Sequence, residues 1–201
     1  MNAFDEAAGL IPLFPLHTVL FPDGLLPLQI FEPRYVDMVR TCMRQPCGFG
    51  VVGIKSGAEV GVASEVYQYG TLARIIDFSN TSAGLLAIVA HGTRRFKVIG
   101  REQRADNLLV GSVEWLPEED ATPVPDGFDD LAGAVREVAR RAGQSPWQHT
   151  DFDDAVWLSW RLAELLPLAT AARVELLSID GAIQRLAMCR TMIEKGRDPN
   201  A

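Results

Sequence analysis

The chain has 201 residues, of which 48% are hydrophobic and 22% charged, a composition typical of a globular protein rather than a disordered or fibrous one. Its 19 basic and 26 acidic side chains give a formal net charge of -7, which argues against a surface that binds nucleic-acid phosphates. The apolar segment 10–30 contains four prolines, and no Lys or Arg precedes Arg34, so we expect neither a signal anchor nor a membrane-spanning helix. These features predict a cytoplasmic protein with no membrane and no nucleic-acid partner.

Acidic residues concentrate in the middle of the chain. Residues 118–127 contain four Asp or Glu, two Pro and one Gly. This composition is typical of a solvated linker. We therefore predict two domains, 1–117 and 128–201, on either side of an acidic, proline-rich segment.

Before this segment the apolar pattern has a period of two, which predicts strands. The predicted strands are 49–54, 71–78, 85–91, 95–100 and 108–116, and the proline-containing runs 10–13 and 25–28 are predicted to be extended. In the last of the strands, Leu109, Val113 and Trp115 fall on one face, with Ser112 and Glu114 on the other. Several strands without intervening helices predict a barrel or a closed sheet.

One helix is predicted within this first part, because Pro33 suits a first helical turn and Glu32 places a carboxylate at the positive end of the helix dipole. The apolar residues that recur at helical spacing are Tyr35, Met38, Val39, Cys42 and Met43. After the acidic segment the period becomes 3.6, which predicts a bundle with helices at 128–142, 151–166, 170–179 and 181–195. Thr150 and Asp153 match a capping box for the second of these, which Pro167 would end. The fold class is therefore α+β.

Motifs that carry known chemistry are not found in the sequence. It has no nucleophile elbow, no zinc-protease helix and no glycine-rich phosphate loop. The three histidines are far apart in the sequence, and the three cysteines, Cys42, Cys47 and Cys189, lack zinc-finger spacing and are interpreted as reduced structural thiols. We therefore expect no metal and no cofactor. An enzyme of hydrolase type, with a site assembled from residues distant in the sequence, stays open as the alternative.

Two clusters could contact a partner. The basic cluster from Arg94 to Arg104 contains one aromatic residue, Phe96, which is too few for base stacking, and its alternation is typical of a solvated sheet face. In the helix predicted at 151–166, Trp157 lies on a stripe of charged residues opposite an apolar face. Trp157 is then either a packing contact with the β-rich part or an exposed anchor for a partner.

An ordered set of short blocks resembles the N-terminal substrate-recognition domain of Lon proteases. The blocks are IPLFPL at 11–16, VLFPDG at 19–24, LPLQIFEPRY at 26–35, GTLARI at 70–75 and GTRRFKV at 92–98. The resemblance implies a PUA-like β-barrel with one inserted helix, followed by a C-terminal helical bundle. It also implies a stand-alone member of the family, because the ATPase and protease of Lon lie in later domains and no such motif occurs here.

The resemblance implies a function as well: a non-catalytic polypeptide-binding module, acting as an adaptor for unfolded or exposed apolar segments. An ATP-dependent protease acting in trans is a further candidate partner. The candidate binding residues are Phe31, Glu32, Arg34, Tyr35, Arg94, Arg95, Phe96 and Trp157. Glu32 could pair with Arg95. The motifs at 31–35 and 94–96 are either determinants of the fold or walls of a ligand groove.

Overall fold

The computed structural model describes residues 4–45, 47–59, 65–80, 84–142, 147 and 149–197. Contacts between Cα atoms divide the chain into Met1–Pro117, here called the strand-rich unit, and Glu118–Ala201, the helical unit. The strands of the first unit are β1 (Leu10–Leu16), β2 (Leu25–Ile30), β3 (Phe49–Ser56), β4 (Glu65–Asn80), β5 (Leu86–Gln103) and β6 (Leu109–Trp115), and its helix α1 is Pro33–Arg44. The helices of the second unit are α2 (Asp129–Arg141), α3 (Ala155–Leu165), α4 (Thr170–Ser178) and α5 (Ala182–Arg197). The predicted mixture of a β-rich part with one helix and a helical part is confirmed.

The strands form one sheet in the order β2-β5-β4-β3-β1-β6, and β6 also pairs with β5. Pairing therefore runs from β5 through β4, β3, β1 and β6 and returns to β5. The β1–β3 pair is parallel, with Leu13 opposite Gly50, and the other pairs are antiparallel. Strand β2 lies beside the first half of β5, and β6 lies beside its second half.

Strand β5 replaces two strands that were predicted separately at 85–91 and 95–100. Gly92, which falls between these two predicted strands, instead lies inside β5 and against the turn that follows Phe21. Its N–H donates to the carbonyl of Gly24, and its own carbonyl accepts from the N–H of Asp23, both at 2.9 Å. A Cβ at position 92 would lie only 2.3 Å from the carbonyl oxygen of Phe21. Glycine is thus required here by close packing and not by a turn.

The strand-rich unit has two apolar clusters. One lies between α1 and the sheet and contains Phe14, Tyr35, Met38 and Phe49. The other lies among the strands and includes Leu13, Leu72 and Phe96. The predicted apolar face of α1 is confirmed for Tyr35, Met38, Val39 and Cys42. Met43 differs, because it lies one residue before the end of the helix and is 41% exposed.

Helix α3 begins later than its predicted capping box. Asp154 is the N-cap, and its carboxylate accepts from the backbone N–H groups of Val156 at 3.0 Å and Trp157 at 3.3 Å. It also accepts from the N–H of Thr122 at 2.9 Å. The prediction of a cap at Thr150 and Asp153 is wrong, since one carboxylate at 154 pairs with both orphan amides of the first turn.

Replacing Asp154 by Ala is expected to lower the free energy of unfolding of the helical unit by about 1 to 2 kcal/mol, because three backbone donors lose their acceptor. Urea unfolding followed by circular dichroism measures this change. Asp153→Ala is the matched control, since the neighbouring Asp153 side chain is 92% exposed in its ion pair with Arg136. Equal losses for the two variants would contradict the assignment of the cap.

The acidic segment is not a solvated linker throughout. The carbonyl of Thr122 accepts from the N–H of Ala155 at 2.7 Å, and the N–H of Val124 donates to the carbonyl of Asp153 at 3.0 Å. The carboxylate of Glu119 pairs with Arg185 at 2.9 Å. The composition of the segment suggested solvation, but these bonds tie it to the helical unit.

Candidate polypeptide-binding groove

A groove in the strand-rich unit lies between the end of β1, strand β2 and the start of α1, and its volume is about 230 Å³. Its apolar and aromatic lining comes from Phe14, Pro15, Leu16, Pro27, Leu28, Ile30, Phe31 and Tyr35, and its polar lining comes from Gln29, Glu32 and Glu59. We call it the β2 groove. An apolar concavity with a few polar groups is the usual form of a binding site.

The turn from β2 into α1 places the side chains of the predicted motif at 31–35. Pro33 occupies the first turn of α1, and the carbonyl of Glu32 accepts from the N–H groups of Tyr35 and Val36 at 3.0 Å. Phe31 precedes this turn and is 57% exposed, whereas Tyr35 is buried. The local sequence therefore puts one exposed and one buried aromatic ring on the same groove.

The carboxylate of Glu32 does not cap α1. It pairs with Arg34 at 2.9 Å, and Arg34 also donates to the carbonyl of Asn107 at 2.9 Å. The predicted pair of Glu32 with Arg95 is thus replaced by a pair with a residue two positions along the chain. Arg34 also lies over the ring of Tyr35, 4.5 Å from its centroid.

Two carboxylates, Glu32 and Glu59, line the β2 groove, and that of Glu32 is paired with Arg34. Glu59 accepts from the backbone N–H of His17 at 2.6 Å. Burial raises the pKa of Tyr35 to about 12; Arg34 opposes that shift, and the charges of Glu32 and Glu59 add to it. The phenol of Tyr35 is therefore neutral at physiological pH, so the groove combines an apolar wall with two acidic groups.

One edge of strand β2 is not paired with any described strand. Among the described strands it pairs with β5 alone, and Pro27 stands opposite Val89 in that pair. Proline has no N–H to donate, so it is found within sheets mainly at edges. Exposed sheet edges are a common place for an extended peptide to bind.

The other predicted motif, at 94–96, does not line the β2 groove. Phe96 is fully buried among the strands, and Arg95 is only 5% exposed. The backbone carbonyl of Arg95 accepts a hydrogen bond from the N–H of Leu116 at 3.0 Å. Arg94 is exposed and lies 4.9 Å from the centroid of the Trp115 ring. The interpretation of a solvated face was therefore wrong for Arg95.

Trp157 is enclosed by aromatic residues of its own unit. It is 3% exposed, and its ring makes edge contacts with Trp147 and Phe152. The distances between ring centroids are 5.3 Å and 5.2 Å respectively. On the stripe of charged residues that contains Trp157, Arg161 is fully buried and pairs with Glu164 at 3.1 Å. The side chain of Trp157 therefore has almost no exposed surface with which to anchor a partner.

Sequence reasoning missed several groove residues, above all Leu28 and Glu59. The only available signal was the proline within the short run 25–28, which indicates an edge strand. In the part of the chain that the structure describes, no group of three or more His, Cys, Asp or Glu could hold a metal ion. Nor does any described helix have the length and apolar character needed to span a membrane.

Comparison with known families identifies the chain. The family model for the substrate-binding domain of the ATP-dependent protease La (Lon) matches residues 10–195. The chain belongs to this family. The resemblance predicted from the blocks between residues 11 and 98 is thereby confirmed.

Solved structures and curated proteins support the same family. A Lon N-terminal domain protein from Xanthomonas campestris is 36% identical, with a TM-score of 0.77, over 90% of this chain and 97% of its own. Lon protease 2 of Myxococcus xanthus is 27% identical over 166 residues, which are 81% of this chain and 20% of the relative. Protein cereblon of Xenopus tropicalis is 26% identical over 243 residues, covering 90% of this chain and 53% of cereblon. The chain thus spans a fifth to about half of the length of these curated relatives.

Proposed function

We propose that this protein is a non-catalytic module that recognises polypeptides and binds extended apolar segments of unfolded or partly exposed chains in the β2 groove. The observation that carries the proposal is the apolar groove beside an edge strand, in a chain that belongs to the Lon substrate-binding family. We take the sheet to be a PUA-like barrel and the helices of the second unit to form a bundle. In this proposal the protein is a cytoplasmic adaptor, and an ATP-dependent protease acting in trans is its candidate partner.

Binding would combine backbone and side-chain contacts. A segment lying along β2 can form main-chain hydrogen bonds with the free edge, which gives affinity with little dependence on sequence. The exposed ring of Phe31 and the wall formed by Leu28 and Pro27 offer apolar surface to alternate side chains of that segment. Glu32 and Glu59 favour a segment that is neutral or basic next to its apolar residues.

The proposal is tested by fluorescence anisotropy of a labelled, permanently unfolded polypeptide titrated with the protein at low and high salt. We expect saturable binding that tolerates salt, since apolar contacts and sheet hydrogen bonds are screened far less than surface charge pairs. A labelled folded protein that exposes no apolar segment serves as the negative control. Equal binding of both probes, or no binding of the unfolded chain, would refute the proposal.

Phe31→Ala is expected to weaken binding of the unfolded polypeptide about tenfold, because a central aromatic contact of an interface is typically worth more than 1 kcal/mol. Phe78→Ala is the matched control, since Phe78 is 59% exposed in the same unit and does not line the β2 groove. Circular dichroism establishes that both variants fold. If the two variants bind equally well, the β2 groove is not the binding site.

A further inference from the structure

Two thiols lie side by side where α1 ends. Cys42, in the last turns of α1, is buried, and Cys47, in the connection to β3, is half-buried. Their sulfur atoms are 3.4 Å apart, with the Cys47 S–H donating to Cys42 Sγ, while the Cys42 S–H donates to the carbonyl of Gly48 at 3.6 Å. We propose that oxidation joins Cys42 and Cys47 in a disulfide, which makes this end of the strand-rich unit a redox-modifiable site.

The positions of the two cysteines are fixed by the fold. The N–H of Gln45 donates to the carbonyl of Thr41 at 3.0 Å and so ends α1. On the other side of Cys47, the N–H of Gly48 donates to the carboxylate of Glu6 at 2.9 Å. A disulfide needs the two sulfurs to approach from 3.4 Å to about 2.0 Å, so with the chain held in this way only a short closing movement is needed.

The pair is open to a small oxidant from one side. A second groove, with a volume of about 540 Å³, is lined by Cys42, Cys47, Met43, Arg74, Ile76 and Phe78. Burial raises the pKa of the Cys42 thiol far above its usual range, and Cys47 adds to that effect, while Arg74 opposes it. Cys42 is therefore the less reactive thiol at first, and the half-buried Cys47, which also lines this groove, is the sulfur that reacts first with an oxidant.

Metal binding is the other common use of neighbouring thiols. A structural zinc site needs four ligands, and in the described residues no cluster of three or more His, Cys, Asp or Glu includes this pair. Two thiols at contact distance without further ligands favour oxidation over metal binding.

The oxidant can be hydrogen peroxide, and the reaction is balanced with one molecule of it. Cys47 sulfur forms a bond to one peroxide oxygen, the O–O bond breaks, and the other oxygen takes the proton of the Cys47 thiol and leaves as water, which gives a sulfenic acid. Cys42 sulfur then attacks the sulfur of Cys47. The S–S bond forms, the S–O bond breaks, and the hydroxide takes the Cys42 proton and leaves as a second water. The two thiols together lose two electrons and two protons.

The test uses the full chain treated with hydrogen peroxide, then quenched, unfolded and labelled with a maleimide. We expect the number of free thiols to fall from three to one, the intact mass to fall by two hydrogen atoms, and peptide mapping to find the Cys42–Cys47 cross-link. Dithiothreitol should restore all three thiols. Cys189, fully buried in α5 with a pKa raised to about 12 by burial, is the internal control and should stay unmodified.

Two further arms keep the proposal open to refutation. In Cys47→Ser, the same treatment should leave both remaining thiols free. If the native pair keeps its three thiols, or if Cys47 advances to a sulfinic acid while Cys42 stays free, the proposal is wrong. It is also wrong if the cross-link forms only when the oxidation is carried out in urea, since the folded structure would then not bring the sulfurs together.

Discussion

Replacing Glu119 by Ala is expected to lower the free energy of unfolding of the helical unit by about 3 to 5 kcal/mol, because it leaves a buried guanidinium without its counter-charge. Arg185 is fully buried, and its two terminal nitrogens donate to the two carboxylate oxygens of Glu119 at 3.0 and 2.9 Å. The same guanidinium donates to Ser159 Oγ at 2.9 Å and lies 3.3 Å from the centroid of the Trp160 ring. A bidentate, charge-assisted pair is among the strongest polar contacts in proteins.

Urea unfolding followed by circular dichroism of the helices measures this loss. Glu137→Ala is the control, because Glu137 is a carboxylate of the same unit that pairs with Arg140 and Arg141 at the surface. We expect no measurable change for that variant. The double variant Glu119→Met, Arg185→Met should recover much of the lost free energy of unfolding, since apolar replacement of a buried ion pair is often neutral. Equal midpoints for Glu119→Ala and Glu137→Ala would contradict the role of the buried pair.

Phe96→Ala is expected to lower the free energy of unfolding of the strand-rich unit by about 3 to 5 kcal/mol, because it empties the space that this ring fills among the strands. Phe96 is fully buried, and its ring contacts the edge of Trp115 at a centroid distance of 6.1 Å. Urea unfolding followed by circular dichroism and tryptophan fluorescence measures the loss, and Trp115 is the only one of the four tryptophans that lies in the strand-rich unit. Phe78→Ala removes an exposed ring of the same size and should change stability by less than about 0.5 kcal/mol.

Two glycines make room for the ring, and they allow a sharper form of the test. A Cβ at Gly50 would lie 2.6 Å from Phe96 Cζ. Its next nearest atoms would also be side-chain atoms, those of Leu13 and Ile11. A Cβ at Gly70 would lie 2.6 Å from both Phe96 Cζ and the backbone oxygen of Val51. Gly50→Ala and Gly70→Ala should each lower the free energy of unfolding of the strand-rich unit by about 1 to 3 kcal/mol.

Replacing the Phe96 ring by a smaller side chain distinguishes the effects of Gly50→Ala and Gly70→Ala. Phe96→Leu should relieve much of the cost of Gly50→Ala, whose close contacts are all side chains. It should relieve little of the cost of Gly70→Ala, because the carbonyl of Val51 belongs to a paired strand and cannot move away. Coupling energies from the two double-mutant cycles measure the difference. Equal rescue at both positions would mean that the backbone contact does not limit the packing.

Local pattern was sufficient for most elements of this fold, although it divided β5 into two strands and began α3 too early. The helical spacing after Pro33 predicts α1 and its buried face, and the period change near residue 118 predicts where strands give way to helices. These features depend on neighbours within a few positions, which a single sequence contains. The family blocks include residues that the fold requires for packing, such as Gly70, Gly92 and Phe96.

What could not be predicted depends on residues that are distant in the sequence. Arg161 lies on the stripe of charged residues predicted for α3 and Arg185 lies in α5, and both are fully buried. The burial of Arg185 is possible only because Glu119 reaches it from the acidic segment. The β2 groove is likewise assembled from three separate stretches of chain, and no pattern in any one of them indicates that they meet.

Because β6 pairs with both β1 and β5, the sheet is completed only after β6 has been synthesised. β6 is the last strand of its unit, yet it pairs with β1, where Leu10 stands opposite Ser112, and with the second half of β5. Until residues 109–115 have left the ribosome, both of these strands present bare edges to whatever surrounds the nascent chain. Contacts between such distant parts also make folding slow. A protein proposed to recognise exposed polypeptide is thus itself an exposed polypeptide during its synthesis, until β6 has paired with β1 and β5.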